Sequence, residues 1–271
     1  MILNNYSKLR DFMVKLPLVS LWNQREMVFY FAKLNIKQRF KGTYFGLLWT
    51  ALEPALVFIL LYTVFTSIKF RGGEDFPIYL LTSIILYHIF TRGTIAGASS
   101  IRSNKGMIQS IKINNEFFPV VATAATGLLV FIQVGVFFGL LPFFQFIPTS
   151  TIIFLPIVLL LLLVLTLGVS YILSLLSVFI RDIQPIWGII IHALFFLTPV
   201  LWYLEDASEF LLMIHRFNPV GQILELGHNI VVFGKIPPLY DWIYASLFVI
   251  IIFFVGFGLF QKYESKIAEE L

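Results

Sequence analysis

Ionisable side chains inside apolar stretches are the first place to look for chemistry, because a charge in hydrocarbon is costly and persists where it is paired or used. Between Tyr44 and Ile68 the only formal charge is Glu53, followed directly by Pro54, which frees a backbone carbonyl and bends a helix. In the next apolar stretch the corresponding group is Arg92. A Glu53–Arg92 ion pair is one reading; snorkelling of the guanidinium towards headgroups and a purely structural interhelical bond are the others. The four histidines, His88, His192, His215 and His228, lack metal-ligand spacing, and Glu225-x-x-His228 matches half of a di-iron ligand set whose other half is missing. No serine lies in a Gly-x-Ser-x-Gly turn, and no carboxylates pair within a helical turn at membrane depth. Enzymatic chemistry is therefore unsupported. Gly-x-x-x-x-Gly-Lys-Ser/Thr is absent too, so if ATP drives this chain, a different polypeptide hydrolyses it.

The elements that must position these groups are membrane helices. Of 271 residues, 59% are hydrophobic and 13% charged, which excludes an ordinary soluble domain. A run of about 20 apolar residues spans a hydrocarbon core of roughly 30 Å. Tyr44–Ile68 is such a run, and it is followed by Pro77–Ser100, Phe117–Leu141, Thr151–Phe179, Ile186–Tyr203 and Leu239–Phe260, giving six crossings in a single membrane domain over 1–271. Fourteen of the 19 Lys and Arg fall in the pieces this layout puts in the cytoplasm. Four, Lys69, Arg71, Arg216 and Lys235, fall outside. That asymmetry places both termini inside. The first twenty residues have no uninterrupted apolar core, which argues against a cleaved secretory signal. The basic residues sit beside membrane segments, so topology accounts for the net charge of +4 without nucleic acid.

Before the first crossing, Lys33, Lys37 and Lys41 share one helical stripe and Met27, Phe31 and Leu34 another face. This amphipathic segment lies along the membrane surface, touching headgroups or docking a protein. Between the fifth and sixth crossings, Leu204–Pro238 breaks at Asn218-Pro219 into two helical patterns, Ser208–Phe217 and Val220–Phe233, each too short to span. Such half-membrane segments persist only when buried against protein or lining a cavity, which makes them the place to look for a transport path. Gly42/Gly46, Gly93/Gly97 and Gly135/Gly139 have the small-xxx-small spacing of close helix contacts. Tyr44, Phe45 and Trp49 at one end, and Trp202, Tyr203, Tyr240 and Trp242 at the other, read as interfacial belts. Tyr62, Phe65, Tyr87, Phe90, Phe195 and Phe196 lie deeper, facing either lipid or a pathway in which rings stack on sugar C–H faces.

Several of these features converge on one family. Arg39-Phe40-Lys41-Gly42-Thr43-Tyr44-Phe45-Gly46-Leu47-Leu48-Trp49 followed by Pro54 resembles the signature of type-2 ABC exporter permeases for polysaccharides and teichoic acids. Phe179-Ile180-Arg181-Asp182, Thr198-Pro199-Val200-Leu201-Trp202 and Asn218-Pro219 are similar to the same family, in order, across about 27–263. The resemblance implies an all-α integral membrane fold with six transmembrane helices, an N-terminal amphipathic interface helix and two short outer gate helices between helices 5 and 6. It implies a homodimer with two copies of an ABC ATP-binding subunit, which holds the ATP and Mg, exporting a lipid-linked glycan of O-antigen, capsule or teichoic-acid type. By the same resemblance Lys33, Lys37, Arg39, Asn104, Lys105 and Lys112 contact the ATPase, and Asn218 and Pro219 belong to the outer gate. Channel-lining candidates are Trp49, Glu53, Tyr62, Tyr87, Phe90, Arg92, Phe195 and Phe196. The competing expectations are an exporter of a drug or another lipid with this architecture, and a self-sufficient secondary transporter, for which no inverted repeat or proton carrier is evident.

Overall fold

In hydrocarbon every backbone N–H and C=O must be satisfied within the segment, and helices do this along the apolar stretches here. The computed structural model describes residues 24–68, 73–110 and 114–270. Its helices are α1 (Arg25–Arg39), α2 (Trp49–Ser67), α3 (Phe76–Ser103), α4 (Lys105–Ser110), α5 (Phe117–Leu140), α6 (Leu155–Phe179), α7 (Ile183–Leu197), α8 (Glu209–Phe217), α9 (Pro219–Val231) and α10 (Leu239–Glu270). Short 3-10 turns precede α2 and α6, and no strand occurs among the described residues.

Five helices, α2, α3, α5, α6 and α10, are long and apolar enough to cross a membrane. The expected sixth, Ile186–Tyr203, is instead α7, apolar but only 15 residues long. At 1.5 Å per residue it covers about 22 Å, short of a roughly 30 Å core. It stops because Thr198 precedes Pro199, whose ring disfavours helical backbone at the residue before it; Thr198 is extended, with ψ 146°. The polar tail from Gln261 is helical, since α10 continues to Glu270. Phe260 and Ile267 are buried on one stripe of that extension, and Glu264 accepts a hydrogen bond from the Asn115 N–H at 2.9 Å.

α3 is the buried axis of the bundle, with α6, α5, α9, α2 and α7 around it. Two close helix crossings set its geometry. A Cβ added at Gly93 or Gly97 would strike Thr166 or Ser170 of α6, so this pair uses its small-residue spacing for packing. Gly135 and Gly139 have open space where a Cβ would stand, and Gly42 and Gly46 serve turns with φ 78° and 53°. The second crossing, α6 on α10 through Gly168 and Gly256, involves glycines of no regular spacing.

Two apolar clusters result. One joins α3, α6 and α9; the other gathers Ile101, Phe117, Phe118, Tyr171, Phe257 and Phe260 at one end of the bundle. Met27, Val28 and Phe31 of α1 pack on the second cluster and bury Ala32, while Lys33 and Lys37 stay exposed. The Lys33 ammonium sits 4.2 Å from the Phe29 ring centre. By contrast α2 and α7 leave most of their apolar surface uncovered.

Candidate functional site

The polar residues scattered along four segments come together in one cavity of about 400 Å³ between α1, α2, α3 and α5. Its lining includes Arg39 and Phe40 at the end of α1, Trp49, Thr50 and Glu53 from the first turns of α2, His88 and Arg92 from α3, and Gln133 from α5. Glu53 forms an ion pair with Arg92, and its other oxygen lies 3.2 Å from His88 Nε2. Arg92 Nε stands 3.4 Å from the same ring nitrogen, while His88 Nδ1 pairs with the Gln133 amide at 2.7 Å. His88 and Arg92 are four residues apart and therefore share a face of α3. The chain of contacts thus ties three helices together through an acid, an imidazole, a guanidinium and an amide.

Arg92 lies three helical turns from the end of α3 at Ser103, because that helix runs past the expected Ser100, and its guanidinium is paired with the Glu53 carboxylate. Arg39 carries a second positive charge into the cavity and has no carboxylate within ion-pair distance among the described residues. Its recorded partner is the ring of Phe40, 5.7 Å away. Thr50 is 6% exposed and its hydroxyl has no hydrogen-bond partner.

At the opposite end of α3, Tyr79 donates its hydroxyl to the carbonyls of Pro199 and Trp202, at 3.0 and 2.7 Å, which fixes the segment after α7. Its ring stacks on His228 with centroids 3.8 Å apart. His228 Nε2 is 2.7 Å from the Ser83 hydroxyl and its Nδ1 is 3.9 Å from Glu225. This has the residue types of a Ser-His-carboxylate triad. Ser83 and His228 are fully buried, however, and the Ser83 hydroxyl also donates to the Tyr79 carbonyl, so the trio acts as an interhelical clasp. A neighbouring cavity of about 310 Å³ is lined by Asp75, Glu205, Asp206 and Glu225 together with Tyr79 and Tyr203.

No family model matches the chain. Along 256 residues, 93% of this chain and 97% of the relative, it is 24% identical to the O-antigen export system permease protein RfbA of Myxococcus xanthus. It is 23% identical over 241 residues to RfbA of Klebsiella pneumoniae, covering 88% and 92% of the two chains. Polysialic acid transport protein KpsM of Escherichia coli is 23% identical over 243 residues, 85% of this chain and 90% of the relative. Over most of its length the chain is similar to permeases of polysaccharide export systems. Its apolar helices and these relatives make it a multi-pass membrane protein.

The residues singled out in the sequence divide sharply. Trp49, Glu53, Arg92 and Arg39 meet at the first cavity. Tyr87 and Phe90 are enclosed within the bundle: Tyr87 donates to the Ile191 carbonyl at 2.5 Å, and Phe90 packs on Trp187. Tyr62 stacks on Phe58 at 5.7 Å. Phe195 is half-buried against Tyr87, whereas Phe196 is exposed. Asn104 caps its own turn by donating to the Ser100 carbonyl, Lys105 is exposed at the start of α4, and Lys112 lies outside the described residues. His88, Gln133 and Thr50 were missed as members of the site. The available signals were the four-residue spacing of His88 and Arg92 and a lone amide, Gln133, in a charge-free run.

Asn218 is the N-cap of α9, accepting from the N–H groups of Val220 and Gly221 at 3.1 and 3.2 Å, with Pro219 at the first helical position. Its amide donates to the Thr198 hydroxyl at 2.8 Å, which links the α8–α9 junction to the end of α7. Asn218→Ala removes both links, so a stability loss of about 1–3 kcal/mol is expected, measured by thermal unfolding in detergent. Asn218→Asp keeps the cap and is expected to lose less.

Proposed function

We propose that this chain is the membrane subunit of an ATP-driven exporter that carries a lipid-linked polysaccharide of O-antigen, capsule or teichoic-acid type across the cytoplasmic membrane. The observation that carries this reading is similarity over nearly the whole chain to permeases named for O-antigen and polysialic acid export. Two copies of the chain pair, and two copies of a separate ATP-binding subunit supply ATP, Mg and the hydrolytic chemistry. The uncovered apolar faces of α2 and α7 support pairing of this kind. α7 together with the segment to Tyr203 makes the sixth crossing, both termini are cytoplasmic, and α8 and α9 form the outer gate. Of the deeper aromatic residues, Tyr62, Phe65, Phe195 and Phe196, which the bundle does not enclose, border the glycan path.

ATP-driven closure of the partner subunits pushes on α1 and on the connection containing α4, changing the tilt of one protomer against the other. α1 suits this role because its exposed Lys33 and Lys37 face away from the cluster on which it is packed. Only contacts that differ between the open and closed ATPase can supply such coupling. Co-reconstitution in vesicles with an ATP-binding subunit of the exporter class tests the reading: ATP-dependent delivery of a lipid-linked glycan is expected. Transport by this chain unaided would overturn it. Reversing the charges of Lys33, Lys37 and Lys112 together is expected to leave ATP hydrolysis running while glycan delivery falls at least about tenfold, a coupling loss of about 1.4 kcal/mol or more. Unchanged delivery would count against the α1 contact.

A further inference from the structure

The cavity between α1, α2, α3 and α5 is built with more anion-binding capacity than its own residues use. Arg39 and Arg92 face it against a single carboxylate, Glu53, which is already paired with Arg92 and beside His88. Like charges sharing one cavity repel, and the exposed Arg39 fork, with no acidic partner among the described residues, presents unspent N–H donors to whatever enters. The second, independent sign is Thr50, a residue of the lining whose hydroxyl is buried without a hydrogen-bond partner. Its neighbour Thr43 has its hydroxyl committed to the Phe40 carbonyl, and Thr126 to that of Ala122. Arg39 and Thr50 are therefore the unspent donors, with the outer edge of Arg92 beside them.

The occupant these donors suit is an anion with at least three acceptor oxygens, which a phosphoryl group has and a carboxylate lacks. The walls add a second requirement. Trp49, Phe40 and Leu129 supply apolar surface, and the Phe40–Phe45 turn beside them exposes Tyr44 almost completely and half of Phe45. A free inorganic anion gains nothing from such walls, whereas the first carbons of an alkyl chain do. A volume near 400 Å³ is that of a small-molecule site, large enough for a headgroup and too small for a folded chain of sugars.

We infer that this cavity binds the phosphoryl headgroup of a lipid, with Arg39 and Thr50 as the principal donors and the Glu53–Arg92–His88–Gln133 network as its floor. The inference rests on the export reading for the source of that lipid, the carrier of the glycan, but the binding chemistry stands on the cavity itself. Glu53 limits the site to one anion by holding Arg92, so the net charge offered to the ligand is close to +1.

The test uses the full chain in phosphatidylcholine nanodiscs and measures binding of a labelled long-chain prenyl phosphate. It is expected to bind at least about tenfold more tightly than the matching prenol, the gain of one charge-assisted contact. Arg39→Gln and Thr50→Val are each expected to weaken the phosphate ligand and leave the prenol unmoved. Arg39→Lys and Thr50→Ser, which keep a charge and a hydroxyl, are expected to bind close to the parent and guard against misfolding. Competition by phosphatidylglycerol as well as by the prenyl phosphate supports a lipid phosphate site filled by membrane lipid. Competition by inorganic phosphate at equal concentration overturns the requirement for a lipid. Equal binding of prenol and prenyl phosphate, or parent-like binding by both Arg39→Gln and Thr50→Val, overturns the site. Export in co-reconstituted vesicles is scored separately, so loss of binding with export intact refutes this site alone, and binding without export refutes the export reading alone.

Discussion

Gly168→Val is expected to separate α6 from α10 and to lower the yield and melting temperature of the folded protein. A Cβ at Gly168 would stand 2.7 Å from Phe253 Cα and 2.9 Å from its nitrogen, and one at Gly256 would meet the Gly168 carbonyl oxygen. The opposing atoms are backbone, so no rotamer change relieves the contact and the two helix axes must move apart. Overpacking of this kind typically costs about 1–3 kcal/mol and occasionally more, against a total stability of about 5–15 kcal/mol. Moving the axes also opens the cluster of Tyr171, Phe253, Phe257 and Phe260 around the same crossing. Valine brings two further methyl groups, so the upper end of that range is expected. The measurement is monodisperse yield and melting temperature in detergent. Gly135→Ala and Gly139→Ala are the controls, since nothing stands within 4 Å of an added Cβ there and alanine favours helix by about 1 kcal/mol. Normal folding of Gly168→Val would show that the α6–α10 contact is not as close as described.

The second large effect is expected from Glu53→Gln and Arg92→Gln, made singly and together. Removing one partner of a buried ion pair costs about 3–5 kcal/mol, because the other charge is left without compensation. Both side chains are 36% exposed to the cavity, so water reaches them and a loss of about 1–3 kcal/mol is expected for each single change. His88 remains beside whichever charge survives, 3.2 Å from Glu53 or 3.4 Å from Arg92 Nε, and one ring nitrogen does not replace the pair. The double variant removes both charges and is expected to recover at least about 1 kcal/mol relative to the sum of the singles. Thermal unfolding of all four proteins measures that coupling. Additivity within about 0.5 kcal/mol would mean that Glu53 and Arg92 do not support one another.

The contrast between Gly168 and Gly135 shows where sequence reading stops. Gly135/Gly139 has the regular four-residue spacing and faces open space; Gly168 and Gly256 have no spacing to notice because they face one another across two helices. Spacing within a helix reports which residues share a face, not which face meets a neighbour. His88 illustrates the same gap. Its position four residues before Arg92 was legible, but its contact with Glu53 joins residues 35 apart and its contact with Gln133 joins residues 45 apart.

The sequence by itself determined the membrane class, the number of long apolar stretches to within one, the break at Asn218-Pro219 and the resemblance to polysaccharide exporters. These follow from hydropathy, proline geometry and local capping, which act over a few residues and are written in chain order. Only the tertiary structure decided that the segment after α7 is held by Tyr79, that α10 runs on to Glu270, and that Arg39, Thr50, Glu53, His88, Arg92 and Gln133 share one cavity. Those outcomes depend on how helices rotate about their axes when their small-residue faces pack. Among helices that are nearly all apolar, hydropathy alone does not set that rotation.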